Sequence, residues 1–422
     1  MSDYFPEEVI QKILLRLPIK SIIKATAVCK SWMSLIKSST FIQSHLRTTI
    51  DSNDAHLLLF SASSLKDSDS YPRFLLHWDS PESGEYSEPS LPVTFLENQS
   101  VSLLTVVGTC NGLVCLEADH FDTVPSLLIW NPCIRKIVML PSPPDCFTFS
   151  KYNDKYTTHG FGYDSYSNDY KVLRVVSLLG CHSNLSRLAT AVQVYSLARG
   201  SWKSLSVSDV PIDFEGGSSP SFVNGILHTL EARLSVVEEH RKFGGDRFIA
   251  SFNLATEVFG EIMIPEPLQK KICSIKRYGD SLALIKYDYD PTYRRGVLNR
   301  GCDIWVLKEY AVAESWTFLY NIVMVEANIY GFKRCGEVVL RGQSRMLSLD
   351  PISKQVKDFR TEDYIYFMDS FVESLVLLDH ANAHFLPRRN KVLIRSCCWV
   401  SSTIAIQKKL IWILSNFEVY FL

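Results

Sequence analysis

The segment NGLVCLEADHFDTVPSLLIWNP occupies residues 111–132 and contains two elements that recur along most of the chain. The first element is a tight Asn-Gly turn followed by an apolar run. The second is an apolar run that ends in a polar turn and is accompanied by an aromatic residue. Together the elements indicate short β-strands separated by turns, which is an all-β pattern.

The two elements repeat at intervals of about 45 to 65 residues, roughly the length of a four-stranded propeller blade with its loops. Copies of the second element are Leu128–Pro132, Val194–Leu197 with Trp202, Ser251–Leu254 with Phe259, Ile304–Leu307 with Trp316, and Leu347–Asp350 with Phe359. Copies of the first are Asn111–Val114, Asn224–Leu227 and Gly279–Leu284. The repeat predicts a large all-β domain that is β-propeller-like (kelch-like). An irregular β-sandwich is the alternative, because its hairpins would give a looser version of the same pattern.

The residues before this domain have a different composition and a different spacing of apolar residues. The first 47 residues predict three short helices: Val9, Ile10, Ile13, Leu14 and Leu17 follow the helical spacing of the first, Ile22, Ala25 and Val28 belong to the second, and Leu35 and Ile36 to the third. Pro18 is expected to stop the first helix, and Ser21 to cap the second. Residues 51–92 are rich in Ser, Asp and Pro, and we interpret their apolar islands, Leu57–Phe60 and Phe74–Trp78, as the first strands.

The composition of the chain narrows the possible functions. The 422 residues carry a formal net charge of -1 and are 46% hydrophobic and 21% charged, which is typical of globular domains and favours neither nucleic acid nor membrane as a partner. The 11 cysteines are scattered, and the polar start, Met1 to Tyr4, does not resemble a signal peptide. Reduced thiols in the cytoplasm or nucleus are therefore expected. No apolar run reaches the roughly 18 residues of a membrane span.

The N-terminal residues resemble the F-box family. The match consists of Phe5–Ile10, Ile13–Ser21 and Val28–Trp32, and Phe41-Ile42 with His45-Leu46 continue it. The usual opening Leu-Pro is Phe-Pro in this chain. The resemblance implies a small all-α F-box at residues 1–47 that docks on a Skp-type adaptor, and through it on a cullin and a ring-finger protein. The adaptor-binding residues it implies are Phe5, Pro6, Ile13, Leu17, Pro18, Val28 and Trp32, some of which must also hold the helices together.

Most of the remaining chain resembles the plant F-box-associated domain, type 1, of proteins often called F-box/kelch-repeat. The matching stretches include Gly108–Cys115, Trp130–Pro132, Gly160–Asp164, Val306–Tyr310 and Glu314–Trp316. The paired glycines of true kelch repeats are mostly missing. We expect a linker with the first strands at residues 48–100, the target-binding β-domain at 101–385, and an apolar extension at 386–422, which is either a closing strand or a poorly ordered tail.

The family resemblance implies the substrate-recognition subunit of an SCF-type cullin ubiquitin ligase. Two other hypotheses remain: a carbohydrate- or small-ligand-binding module, and a hydrolase on a propeller-like scaffold. His380 and His384 have the i, i+4 spacing of a metal pair, but they lack the glutamate of a zincin helix and Pro387 follows closely. Gly160–Gly162 lacks the third glycine of a dinucleotide loop. We therefore expect no catalytic residue, no metal and no cofactor.

Target recognition is expected to use loops on one face of the β-domain. The turn-rich candidates are Pro141–Lys155, Cys181–Arg187, Ser206–Ser219, Arg241–Asp246 and Asp288–Arg300. The last is preferred because Tyr289, Tyr293, Arg294 and Arg295 are residue types that dominate binding hot spots. We interpret Trp130, Trp202, Trp305 and Trp316 as blade-core aromatics, with a target pocket as the alternative.

Overall fold

The computed structural model describes most of the chain up to Phe385. The described residues are 6–52, 55–63, 72–80, 84–91, 101–120, 125–144, 155–179, 187–206, 220–232, 247–269, 273–290, 298–324, 328–342, 345–359, 361, 363–381 and 384–385. The predicted extension at 386–422 and the first predicted adaptor residue, Phe5, therefore lie outside them.

Four helices open the chain: α1 (Glu7–Leu14), α2 (Ile19–Ala25), α3 (Lys30–Lys37) and α4 (Ser39–Asp51). The expectation that Ser21 caps the second helix is wrong. The helix begins at Ile19 after Pro18, whose backbone is extended (ψ 147°), and Pro6 precedes α1 in the same way. Proline suits this position because its fixed φ matches the start of a helix. Ser38 caps α4, since its Oγ accepts a hydrogen bond from the Phe41 N–H at 3.2 Å.

The helices are followed by short strands. In chain order the strands are β1 (His56–Ser63), β2 (Arg73–Trp78), β3 (Glu85–Ser87), β4 (Val101–Cys110), β5 (Leu113–His120), β6 (Ser126–Asn131), β7 (Lys136–Met139), β8 (Lys155–Asp164), β9 (Asp169–Leu179), β10 (Arg187–Ser196), β11 (Ser201–Leu205), β12 (Ser221–Val223), β13 (Ile226–Ala232), β14 (Arg247–Asn253), β15 (Val258–Met263), β16 (Cys273–Tyr278), β17 (Ser281–Asp290), β18 (Leu298–Leu307), β19 (Trp316–Ile322), β20 (Asn328–Phe332), β21 (Val338–Gly342), β22 (Arg345–Leu349), β23 (Val356–Asp358), β24 (Tyr364–Val372) and β25 (His384–Phe385).

These strands form a six-bladed β-propeller, which confirms the predicted architecture over the sandwich alternative. Blade 1 has the order β24-β1-β2-β3, blade 2 β4 to β7 with β25 at its outer edge, and blades 3 to 6 take the next four strands each. The innermost strands touch in a closed circle: β4, β8, β12, β16, β20 and β24. The last full strand, β24, pairs antiparallel with the first, β1, with Leu58 opposite Ser370, so the two ends of the domain close the ring together.

The hydrophobic core lies between neighbouring blades. One cluster, for example, combines Leu58 and Phe60 of blade 1 with Val339 and Met346 of blade 6. Another combines Ile249 of blade 4 with residues of blade 5. The inner strands of each sheet are covered on both faces and are apolar on both sides, which explains runs such as Leu57–Phe60 that are buried throughout. The outermost strands, such as β11 and β15, are largely exposed.

The two sequence elements correspond to the two kinds of hairpin found in blades 2 to 6. Asn111-Gly112 and Asn224-Gly225 join the first and second strands of blades 2 and 4, and all four residues have positive φ (49° to 81°), as a type I′ turn requires. The polar turn of the second element joins the third and fourth strands. Here Asn253 Oδ1 accepts the Ala255 N–H at 2.9 Å, and Asp350 Oδ1 accepts the Ile352 N–H at 2.9 Å, so the side chains shape these turns.

Candidate functional surfaces

The propeller has two faces that differ in their connections. Strands within each sheet are antiparallel, so connections alternate between the two ends of a blade. The short turns between first and second and between third and fourth strands emerge on one face, which we call the turn face. The connections between second and third strands, and those between blades, emerge on the other, which we call the loop face.

Hydrogen bonds join neighbouring blades across the turn face. Lys171 of blade 3 donates to the Leu254 carbonyl of blade 4 at 2.7 Å and pairs with Glu257 at 3.2 Å. Asn224 of blade 4 donates to the Asp280 carbonyl of blade 5 at 3.0 Å. The contacts of Lys171 satisfy a buried ammonium group at a blade boundary, and the bond from Asn224 links two exposed turns of neighbouring blades.

The four helices pack on the turn face. Leu14, Ile22, Trp32 and Phe41 belong to the same contiguous buried cluster as residues of blades 2 and 3 and of the segment after β24. At the entry to the propeller, His56 of β1 hydrogen-bonds the Ile50 carbonyl of α4, with Nε2 to oxygen at 2.9 Å. The helical unit therefore shares its core with the β-domain.

Residues 373–381, which we call the bridging segment, run from β24 across the turn face towards blade 2. Asn131 is fully buried, and its amide donates to the carbonyls of Ser374 at 3.0 Å and Val376 at 2.8 Å. The Lys136 ammonium donates to the Leu378 carbonyl at 2.9 Å. Leu375, Leu377 and Leu378 are buried in the cluster shared with the helices. The bridging segment is thus held by blade 2 on one side and the helical unit on the other.

Burial governs the electrostatics at this junction. It lowers the pKa of Lys136, with a smaller contribution from the nearby Lys37 of α3. It raises the pKa of Glu373, which the Tyr86 hydroxyl and Lys20 of α2 partly oppose. Charged groups of the helices therefore lie close enough to the propeller to act on its titrating groups.

The predicted adaptor residues differ in exposure. Pro6 and Pro18 are exposed, and Ile13, Leu17 and Val28 are half-buried. Trp32 is only 8% exposed and lies in the shared cluster, so it supports the helices from inside. The remaining five residues leave an incompletely covered apolar surface on α1 and around α2, which is typical of a surface that binds a partner.

Two exposed apolar residues on α1 and α3 were absent from the predicted adaptor set. Val9 is 38% exposed and Met33 37% exposed. Val9 belongs to the apolar spacing of α1, but spacing alone does not show which positions of that stripe the propeller leaves uncovered. The exposure of both residues depends on tertiary packing.

The predicted target residues fall largely outside the described part of the chain. Tyr289 has a described backbone in β17, and its side chain is not described. Tyr293, Arg294 and Arg295 lie outside the described residues. All five predicted loops connect strand ends on the loop face: β7–β8, β9–β10, β11–β12, β13–β14 and β17–β18. Their role in target binding stays a prediction.

The tryptophans pack inside and between blades. Trp130 is 1% exposed and makes an edge contact with Phe74, with ring centroids 5.0 Å apart. Trp316 is 6% exposed, and its indole N–H donates to the Met263 carbonyl at 3.2 Å. Trp202 is half-buried, and its N–H donates to the Pro141 carbonyl at 2.7 Å. Their interpretation as core aromatics is confirmed for Trp130 and Trp316.

The described residues contain no group of three or more His, Cys, Asp and Glu side chains placed to hold a metal ion. The side chain of His384 is not described, and that of His380 is half-buried, with Nδ1 unpaired among the described residues. Burial raises the pKa of the Cys110, Cys115 and Cys133 thiols, and that of Cys273 to about 11, which opposes thiolate formation. Over the same residues, no helix combines the length and apolarity needed to cross a membrane.

Comparison with known proteins agrees with this architecture. The family described as F-box associated beta propeller domain matches residues 80–406, and the F-box domain matches residues 3–44. F-box protein At3g07870 of Arabidopsis thaliana is 31% identical over 76% of this chain and 73% of its own length. F-box protein CPR1 of the same plant is 25% identical over 88% of each chain, and F-box/kelch-repeat protein At3g23880 is 27% identical over 75% of this chain and 79% of its own.

The two family matches, one over the helices and one over most of the six-bladed ring, show that this is an F-box protein of the β-propeller class. The chain belongs to the plant F-box proteins that carry an F-box-associated β-propeller domain. Among solved structures, TolB from Acinetobacter baumannii aligns over 72% of this chain and 68% of that chain, with 9% identity and a TM-score of 0.32. That likeness is too distant to bear on function.

Proposed function

We propose that this protein is the substrate-recognition subunit of an SCF-type cullin ubiquitin ligase. Its F-box binds a Skp-type adaptor, and through it a cullin and a ring-finger protein, while the propeller binds a protein target. The observation that carries the proposal is the separation of two surfaces. The helical unit packs on the turn face, and the strand ends that flank the long connections lie on the opposite, loop face.

This arrangement serves a receptor that holds two partners at once. The adaptor side and the target side do not compete for the same surface, and the shared core fixes the helices relative to the propeller. Ubiquitin transfer then gains from effective concentration, because the target is held near the enzyme that carries ubiquitin. Fixed geometry favours this effect, since a loose joint would spread the target over a larger volume.

The receptor itself is proposed to be non-catalytic, and to act in the cytoplasm or nucleus, where its free thiols stay reduced. One cavity between blades bears on the carbohydrate- or small-ligand-binding alternative, and it does not favour that alternative. A cavity between blades 3 and 4, lined by Leu173, Leu227 and Phe252 among others, has a volume of about 10 Å³, which accommodates about one water molecule.

The test is co-purification of the full chain with a Skp-type adaptor. Leu17→Ala combined with Val28→Ala removes half-buried apolar side chains from the docking surface. We expect adaptor binding to weaken at least about tenfold, because burying a Val or Leu side chain contributes about 1.5–3 kcal/mol and each truncation loses part of that contribution. Trp32→Ala is a poorer probe, since it removes a buried side chain and destabilises the helical unit by about 3–5 kcal/mol.

Leu103→Ala is the matched control. Leu103 is 53% exposed near the start of β4, on the loop face, so its truncation should leave adaptor binding unchanged. Thermal melting of all three proteins shows whether the fold is kept. Undiminished adaptor binding by the double variant, or no adaptor binding by the wild type, contradicts the proposal.

A further inference from the structure

Two tyrosines and an arginine meet on the loop face where blade 6 adjoins blade 1. Tyr364 and Tyr366 lie at the start of β24, and Arg341 lies near the end of β21. The Arg341 guanidinium stacks over the Tyr364 ring, with its carbon 4.0 Å from the ring centroid. The two tyrosine rings are in contact, with centroids 4.8 Å apart. The three side chains therefore form one continuous surface, which we call the Tyr-Arg patch.

The patch is open to solvent in the described part of the chain. Tyr366 is 64% exposed and Tyr364 37% exposed, which is unusual for two adjacent aromatic rings on an innermost strand. The Tyr366 hydroxyl accepts a hydrogen bond from Ser63 Oγ at 3.0 Å, so the exposed ring is held in place. Rigid, exposed tyrosines bind a partner at a low cost in conformational entropy.

Arg341 differs from two other arginines nearby in the partners that the described residues give it. Arg73 pairs with Glu88 at 2.8 Å and with Asp363 at 2.9 Å, and Arg345 pairs with Asp358 at 3.1 Å. Arg341 makes no ion pair with a described carboxylate. Its close neighbours are the neutral rings of Tyr364 and Tyr330. The patch thus presents one positive charge on an aromatic platform.

We infer that the Tyr-Arg patch binds an acidic peptide segment of the target, with an Asp or Glu carboxylate on Arg341 and neighbouring apolar atoms on the tyrosine rings. The inference rests on the proposed receptor function and assigns a place and a chemistry to its target face. Guanidinium and carboxylate form two parallel hydrogen bonds. Because Arg341 is already held by Tyr364, little side-chain entropy is lost when the carboxylate binds.

The experiment uses the full chain co-purified with a Skp-type adaptor and probed on an array of random 12-residue peptides. A second array carries the same peptides with Asp and Glu replaced by Asn and Gln, and a third carries phosphoserine in place of the acidic residues. We expect peptides enriched in Asp and Glu to be selected, and their binding to be lost on the Asn/Gln array.

Variants then assign the selected peptides to the patch. Arg341→Glu and Tyr366→Ala should each weaken binding at least about tenfold, and Tyr366→Phe should weaken it less, since it keeps the ring and loses only the hydrogen bond to Ser63. Arg199→Glu and Tyr166→Ala are matched controls, because both residues are exposed on the turn face, and neither should matter. Arg341→Glu should also shift the selection towards Lys- and Arg-containing peptides.

The possible failures are distinguishable. If the wild type does not retain the adaptor, the proposed function itself fails. If it retains the adaptor but selects neutral, basic or only phosphorylated peptides, or if Arg341→Glu changes nothing, the assignment of an acidic segment to this patch is overturned. Self-association that Tyr366→Ala abolishes would overturn it as well, by showing that the patch binds a second copy of this chain.

Discussion

His228 shows how a single buried residue joins two blades. It lies on β13 of blade 4 and is fully buried, and its Nε2 lies 2.9 Å from the hydroxyl of Tyr310, in the connection between β18 and β19 of blade 5. Its Nδ1 lies 3.2 Å from the Ser221 carbonyl. Burial lowers the pKa of His228 to about 4, so the neutral imidazole is the form that the folded state accommodates.

This pKa predicts a loss of stability in mild acid. The folded-state pKa lies below the unfolded value of about 6.5, so the unfolded chain binds more protons between pH 6.5 and 4. Stability contributed by neutral His228 is complete above pH 6.5 and is lost as the pH falls through this window. We expect the free energy of unfolding to fall by about 2 kcal/mol for this residue between pH 7.5 and 5.0, as measured by urea titration.

Two variants separate the charge effect from the loss of a hydrogen bond. His228→Gln should remove about 2 kcal/mol of the pH dependence, whereas Tyr310→Phe keeps the buried imidazole and should retain it. His45 of α4 contributes in the same direction, because burial lowers its pKa to about 4 as well. Equal pH dependence in wild type and His228→Gln would show that the imidazole can be protonated without cost.

The hairpins are the element most clearly visible in the sequence. Asn-Gly turns and Asx turns are local, since each depends on the φ of one or two residues and on a side chain bonding its own backbone. Their positions therefore predicted where strands begin and end. The helices were less well predicted: α2 starts two residues before Ser21, and α4 continues to Asp51.

Two turn glycines test how far this local description holds. Gly200 has φ +66° and open space around the position of an added Cβ, whereas a Cβ on Gly112 (φ +77°) would lie 2.5 Å from Ser374 Oγ and from the Val372 carbonyl. Gly200→Ala should cost about 1–2 kcal/mol from backbone strain alone. Gly112→Ala should cost at least about 1 kcal/mol more, because the bridging segment must shift.

Urea titration of the two variants measures the difference. Gly112→Ala should also reduce adaptor binding or loosen the helices, since Ser374 belongs to the segment between helices and blade 2. Equal destabilisation by the two substitutions would mean that the bridging segment makes no close steric contact with the turn at Gly112.

At the scale of the whole molecule, the ring is closed by β1 and β24, two strands that are far apart in the sequence. Phe371 of β24 is 2% exposed and belongs to the cluster shared by blades 1 and 2. Phe371→Ala should lower the free energy of unfolding by about 3–5 kcal/mol. Because every blade packs on two neighbours, we expect the unfolding transition to remain single and shift as a whole.

Phe318→Ala is the matched substitution on outer strand β19, where the side chain is 47% exposed. It should cost at most about 1 kcal/mol, because surface substitutions usually change stability by no more than about 0.5 kcal/mol and the Phe318 ring adds an edge contact with Trp305. Separate melting of a part of the propeller in Phe371→Ala, or equal costs for the two variants, would contradict a cooperative ring.

The sequence alone predicted the F-box helices, the all-β domain and five copies of the repeat. These features depend on helical spacing, on strand patterns and on turn residues, all of which involve residues close together in the sequence. The five copies correspond to blades 2 to 6. The remaining blade carries no such copy, since β1–β3 come from the Ser- and Asp-rich region and β24 from the other end of the domain. Strand alternation shows which face is apolar and does not identify the partner strand.

Three features were decided by tertiary structure alone. These are the pairing of β1 with β24, the shared core of helices and blade 2, and the meeting of Arg341 with Tyr364. Each joins residues that lie on different strands or different domains, and its formation depends on closing the ring. Local sequence patterns do not predict such contacts. Whether these contacts form depends on the entropy cost of closing the long loops between them and on burial, and both are properties of the whole folded chain.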